Sequence, residues 1–301
     1  MNQIIEYCPN LIYKGLYPGT LTSYHYDRLN HRQLFKYACK LNNIHAIENI
    51  YSKFSDYFEL SCELSCELGN VRVIQLIIEK GTTEWICGLY GACEGGHLEL
   101  VKLMIENGAT EWNWNDGLGY ACRGGHLDLV QLMIEKGAHG WNMGLYGACQ
   151  GGHLDLVEFM IEKGANWWNW GLRGACEGGH LDLAQLMIEK GATWWDLGLQ
   201  DACLGGHLDL VQLMIKKGAT YWDGGLLGAC RGGHLPIVHL IIEKGVTDWS
   251  LGIQGACEGG HLDLLHFIIQ KGAIYLGITN KCPLNIIKYL KKYLNRSRKV
   301  S

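Results

Sequence analysis

The chain has 301 residues, 48% of them hydrophobic and 19% charged, with a net charge of −4. That is enough apolar material for a large core, and too little basic excess to draw the protein onto nucleic acid or anionic lipid. An odd count of 13 Cys in so long a chain argues against a disulfide framework. The start "MNQIIEYCPNLIYKG" lacks the basic-then-apolar layout of a signal peptide, and the chain has no run of about 18 apolar residues. These features predict a soluble protein of a reducing compartment, the cytoplasm.

In chain order, residues 1–32 show no period. They are Tyr-rich ("YCPNLIYKGLYPGTLTSYHYDRL"), lack the Leu-Pro start of an F-box-like adaptor helix, and are expected to cover one end of a repeat array that begins at residue 33. The first two units of the array carry Asn43 and Asn70 at a turn position; the next seven carry His at 97, 126, 153, 180, 207, 234 and 261. The spacing is 29 once and then 27 five times. This makes nine units over 33–275. A degenerate tenth, "GITNKCPLNIIKYLKKYL", belongs to a C-terminal capping repeat and basic tail over 276–301.

Each unit reads as two helices. In "HLDLVQLMIEKG" the residues Leu127, Leu129, Val130, Leu132, Met133 and Ile134 predict a wide apolar face. Asp128 suits the first turn, Lys136 the last, and Gly137 a left-handed C-terminal cap. The first helix is expected to be short, as in "GLRGAC", and to end at Gly178-Gly179. Small Ala175 and Cys176 are expected to let the neighbouring helix come close. A Trp followed by a capping type precedes it: Trp141-Asn142, Trp168-Asn169, Trp195-Asp196, Trp222-Asp223 and Trp249-Ser250. The second residue is predicted to cap the helix, with the Trp clamping the turn as a staple. One unit cannot bury its own apolar faces and stacked units can, so the fold class is an all-α helix-turn-helix repeat solenoid.

"GACEGGHLDLVQLMIEKGA" resembles the ankyrin repeat, whose second half runs "AAxxGHxxVVxLLLxxGA". The resemblance covers about residues 33–275. These units have 27 residues where ankyrin repeats usually have 33, and the missing residues fall between "GA" and the next "GL". Tight turns built around Trp are therefore expected in place of β-hairpin fingers. In its Cys- and Trp-rich style the array is similar to the ankyrin-repeat proteins of large DNA viruses of amoebae, which implies a viral protein acting in host cytoplasm.

Cys and His stand four apart in each unit, as in Cys176 and His180, and both types bind zinc. One pair per layer gives two ligands where zinc needs four, with layers about 8–10 Å apart. Cys is thus read as a small buried filler and His as a tie to backbone groups. The Cys62-x3-Cys66 pair reads as a local duplication, with a metal or redox pair as its alternative. The Trp ladder of Trp85, Trp112 or Trp114, Trp141, Trp168, Trp195, Trp222 and Trp249 lacks the basic groove that base stacking needs, and reads as packing. The tail "IIKYLKKYLNRSRKVS" has six basic residues and reads as the outer side of a capping helix, with phosphate or membrane contact as its alternative. No glycine loop of the phosphate-binding type is present. No catalytic residue, metal, cofactor, small-molecule substrate, nucleic acid or membrane is assigned.

In a repeat array the positions that hold the fold recur, and those that read a partner are free to differ. The position after "AC" runs Glu94, Arg123, Gln150, Glu177, Leu204, Arg231, Glu258. The resemblance implies that it lies on the concave binding face of ankyrin proteins. The residue before the ladder Trp runs Glu84, Glu111, Gly140, Trp167, Trp194, Tyr221, Asp248. Trp167, Trp194 and Tyr221 are either exposed interface anchors or packing on the adjacent Trp. These two columns predict a non-catalytic scaffold that binds a partner protein. The alternative is a structural component that self-associates or packs within a larger assembly such as a virion.

Overall fold

The computed structural model describes residues 58–79, 81, 85–109 and 114–271. The expected N-terminal cover, the unit around Asn43, Glu84, Glu111, Trp112 and the C-terminal capping repeat lie outside the described residues. Two compact units divide between Gly144 and Leu145.

Sixteen helices and no strand occur among the described residues. In chain order they are α1 (Phe58–Glu67), α2 (Val71–Glu79), α3 (Trp85–Gly95), α4 (Leu98–Glu106), α5 (Trp114–Gly124), α6 (Leu127–Glu135), α7 (Trp141–Gly151) and α8 (Leu154–Glu162). Next come α9 (Trp168–Gly178), α10 (Leu181–Glu189), α11 (Trp195–Gly205), α12 (Leu208–Lys217), α13 (Trp222–Gly232), α14 (Leu235–Glu243), α15 (Trp249–Gly259) and α16 (Leu262–Gln270). Odd-numbered helices are first helices of a repeat and even-numbered ones second helices. The all-α helix-turn-helix reading holds over the described residues.

The first helices are not short. α9 has 11 residues against 9 in α10, because it starts at the Trp. Trp114, not Trp112, opens α5, so Asn113 and not Glu111 precedes the ladder Trp in that repeat. The apolar face of the second helices is narrower than the hydropathy pattern predicts. Leu129, Val130 and Met133 are fully buried in α6, Leu132 and Ile134 are half-buried, and Leu127 is 57% exposed. One stripe at spacing i, i+1, i+4 suffices, because its other side faces solvent and not a second layer.

Both helix ends follow from glycine. At the end of α10 the Ala192 amide donates to the Met187 carbonyl at 2.9 Å, and Gly191, at φ +111°, makes the left-handed turn that this Schellman closure requires. The end of α9 is similar, with Gly179 at φ +87° and the His180 amide donating to the Ala175 carbonyl at 2.9 Å.

The close approach between adjacent first helices comes from glycine, not from Ala175 and Cys176, which are buried on the core side. A Cβ on Gly174 would stand 2.6 Å from the Tyr146 carbonyl oxygen, and one on Gly178 would overlap the Gln150 carbonyl. Gly228 and Gly232 meet the Gln200 and Leu204 carbonyls in the same way. Adjacent helices thus cross backbone to backbone on a Gly-x-x-x-Gly spacing, the contact that Cα–H···O pairs favour.

Candidate functional site

The residue after each ladder Trp does not cap its own helix. The cap positions of α9, α11 and α13 are Trp167, Trp194 and Tyr221, none with a side-chain cap bond, because aromatic side chains offer no acceptor of the needed reach. Asn169 Oδ1 instead accepts the amides of Thr193 at 2.6 Å and Trp194 at 3.1 Å in the next turn. Asp196 does the same for Thr220 and Tyr221, at 2.7 and 2.8 Å, and Asp223 for Thr247 and Asp248, at 2.8 and 3.0 Å. Each Asn or Asp therefore pins the following turn, 24–25 residues on. Burial acts to raise the Asp223 carboxyl, and the bonds from Asp248 and Thr247 outweigh it, so the net shift is downward. The Trp stands at the first helical position, inside the helix, so the staple predicted from a Trp ahead of the cap is not the one formed.

The His column holds successive repeats together. His207 Nε2 donates to the Glu177 carbonyl at 3.2 Å and His234 Nε2 to the Leu204 carbonyl at 3.1 Å. In the first unit His126 donates to the Glu94 carbonyl at 3.0 Å. The imidazole of His180 lies against Gly152, where any Cβ would collide with it. Burial lowers His261, and its bond to the Arg231 carbonyl opposes that shift.

Cys and His of one repeat point in opposite directions. His180 turns back toward Gly152, while Cys176 Sγ lies 3.4 Å from the place a Cβ would take on Gly198 in the following repeat. The geometry therefore separates the two side chains that spacing alone would pair. Among the described residues no group of three or more His, Cys, Asp or Glu converges as metal ligands would. No disulfide joins the described cysteines, which are buried in every case but the half-buried Cys87. Burial pushes Cys93, Cys122, Cys149, Cys176 and Cys230 up to about 12. A bond from Cys62, together with burial, raises Cys66 further still.

The variable column after "AC" lies along the first helices, half-buried except for the exposed Arg231. Its members are linked sideways. In the first unit Arg123 pairs with Glu94 and stacks over Tyr120 at 4.7 Å. In the second unit Glu177 accepts the Tyr146 hydroxyl at 2.9 Å, and Arg231 lies 3.7 Å from Glu258. Gln150 and Leu204 are half-buried in the same row.

The turn aromatics are exposed: Trp167 by 52%, Trp194 by 39% and Tyr221 by 47%. Packing on the ladder Trp does not hide them. Trp194 instead meets Trp170 edge-on, with centroids 5.9 Å apart, and Trp170 meets Tyr146 at 6.2 Å.

Sequence reasoning missed two further columns. One is the third helical position, with Met143, Trp170, Leu197, Gly224 and Leu251; the other is the sixth, with Tyr146, Arg173, Gln200, Leu227 and Gln254. Cap, third, sixth and tenth positions fall on one stripe of a helix. The same copy-to-copy variation would have found them. Asp201 was missed too. It replaces the crossing glycine of the other repeats in this unit, is 6% exposed, and takes Arg173 Nε at 2.7 Å. Burial raises its carboxyl against the opposing pull of Arg173, whose guanidinium also lies 4.9 Å over the Trp170 ring. The α9–α11 crossing therefore keeps only its second glycine, Gly205, where a Cβ would stand 2.5 Å from the Glu177 carbonyl oxygen.

Among the described residues no helix is long and apolar enough to cross a membrane. No curated relative matches the chain. Among solved structures, the crystal structure of the human ASB11 ankyrin repeat domain is 24% identical, with 53% of this chain and 84% of that chain covered and a TM-score of 0.35. Residues 89–171 match the model of ankyrin repeats in three copies. Over those residues the chain carries the ankyrin-repeat pattern read from its "GACEGGHLDL" units, and the same helix pair recurs beyond them as far as Gln270.

Proposed function

We propose that this chain is a non-catalytic protein-interaction scaffold, and that a partner protein lies along the first helices of the second unit. Ankyrin repeats in general are modules for binding proteins. The observation that carries the reading is the contrast within each first helix. From α3 to α15 one side repeats its Leu (Ile253 in α15), Ala and Cys at almost no exposure, while the stripe through Trp170, Arg173 and Glu177 changes from layer to layer. Selection for packing alone gives no reason for that stripe to vary. Trp167, Trp194 and Tyr221 form its edge, and Gln150, Glu177, Leu204 and Arg231 its floor; Glu94, Arg123 and Glu258 continue the same column in other repeats. Residues 1–32 and 276–301 serve as covers for nine repeats at 33–275, and the protein acts in the cytoplasm, host cytoplasm if it is viral.

The test is a pull-down from the native cell read by mass spectrometry, followed by titration of the recovered partner. The double change Trp194→Ala with Tyr221→Ala should weaken binding more than about tenfold, the effect of losing interface anchors. Unchanged affinity would remove the turn aromatics from the site. Self-association of the purified chain, with no partner recovered, would instead favour the structural role.

A further inference from the structure

The turn edge of the second unit has a spacing and a charge gradient that select one kind of occupant. Trp167, Trp194 and Tyr221 occupy the same cap position in successive layers, each exposed by between 39% and 52%. Their backbones are fixed: the amides of Trp194 and Tyr221 are held by Asn169 and Asp196. An edge ordered before binding loses little entropy when it is covered.

A ligand that touches one aromatic per layer must repeat at the layer spacing, about 8–10 Å for packed helices. An α-helix returns to one face about every 5.4 Å, or about 10.8 Å over two turns, and a strand presents one face about every 6.7 Å, all outside that range. Neither stays in step over three layers. A polyproline II segment makes one turn of three residues in about 9.3 Å, which does. Aromatic surfaces are also the usual seat of such segments, because proline rings lie flat on them and the preformed helix has little entropy left to lose.

The charge is uneven along the edge. The turn segments 166–170, 193–197, 220–224 and 247–251 contain no Lys or Arg. Their acids begin only at the Trp194 layer, with Asp196, then Asp223, then Asp248. The lysines of these layers, Lys163, Lys190, Lys216, Lys217 and Lys244, stand at the ends of the second helices, ahead of the turns. One end is thus aromatic and neutral, and the other carries carboxylates. This chain cannot supply the occupant, since its four prolines, Pro9, Pro18, Pro236 and Pro283, are nowhere three apart.

We propose that the edge binds a proline-rich segment of another protein in the polyproline II conformation, with prolines at every third residue over Trp167, Trp194 and Tyr221 and a Lys or Arg beyond them over Asp223 and Asp248. This rests on the interaction-scaffold reading and names the chemistry of the partner.

A displayed library of random twelve-residue peptides, selected on the full chain, tests it. Selected sequences should carry prolines three apart followed by a basic residue. A synthetic peptide of that pattern should bind at least about tenfold more tightly than its scramble. Binding should be lost on Trp194→Ala with Tyr221→Ala, at an unchanged melting temperature. Selection on Asp248→Lys should keep the prolines and drop the basic residue. Peptides without the three-residue proline spacing, or no selected peptide at all, overturn the proposal. If such peptides still depend on the two aromatics, the scaffold reading stands without it. If the recovered partner protein binds the double variant as well as the parent, this proposal falls and the scaffold reading loses only the turn aromatics; if no partner is recovered and the chain self-associates, both fall.

Discussion

Cys176 and Glu177 are neighbours in sequence and lie on opposite sides of α9. Cys176, with Ala175 and Leu172, has no exposed surface, and those three types recur at their positions from α3 to α15 with one exception, Ile253 for Leu. Across the helix, Trp170, Arg173 and Glu177 give way in α11 to Leu197, Gln200 and Leu204. The constant side is tied to the layers on either side through core contacts and glycine crossings, so a change there is felt by three repeats at once. The variable side makes lateral contacts in pairs, such as Tyr146 with Glu177 and Arg173 with Asp201, and tolerates exchange. Stability and recognition are thus separated across one helix diameter.

The thiol column should give the largest effect. Burial raises Cys93, Cys122, Cys149, Cys176 and Cys230 from 9.0 to about 12, so between those values the native state holds protons that the unfolded chain gives up. Stability should be full below pH 9 and fall as pH rises toward 12, by up to about 1.4 kcal/mol per pH unit for each thiol. Circular dichroism against pH checks this, and Cys176→Ala should make the fall shallower. In the native protein the same thiols should react slowly with an alkylating reagent.

Adjacent residues should differ next. Leu199→Ala should cost about 2–5 kcal/mol in a denaturant melt, whereas Gln200→Ala should stay within about 0.5 kcal/mol. Equal losses would dissolve the two-sided reading of the helix. Gly174→Ala, which drives a Cβ to 2.6 Å from the Tyr146 carbonyl, should cost about 1–3 kcal/mol by overpacking. Asn169→Ala should cost less than these losses, about 1 kcal/mol, from loss of the bonds to the Thr193 and Trp194 amides. Thr193 is exposed, so water can replace part of that loss.

Whatever recurs was legible in the sequence. The period of 27, the two helices per repeat, the left-handed glycine ends and the buried Cys all follow from residues that return in register. The helix starts were not legible, because Asn169 and Asp196 are good capping types and a local rule assigns them to the nearest helix. Their real acceptor role lies 24–25 residues on and depends on stacking that no local pattern states. The glycine crossings were hidden for the same reason: Gly174 and Gly178 read as weak helix residues until the carbonyls of the preceding layer are in place. The variable stripe was half found. Comparing copies at the cap and tenth positions exposed two columns, and the third and sixth needed the helix to extend back to the Trp. Asp201 was in plain view as the one "DAC" among "GAC" units of its unit, and its meaning came only with Arg173 beside it.

The separation of stability from recognition is tested most directly at two adjacent tryptophans. Trp194 is the exposed cap of α11, and Trp195 is the half-buried first residue of the same helix. Melting temperature and partner affinity should be measured side by side for each single change to Ala. The expected result is a lowered melting temperature for Trp195→Ala, and for Trp194→Ala weakened binding at the parent's melting temperature. A Trp194→Ala protein that melts early yet binds its partner with full affinity would contradict the account, and would make the turn aromatics part of the packing.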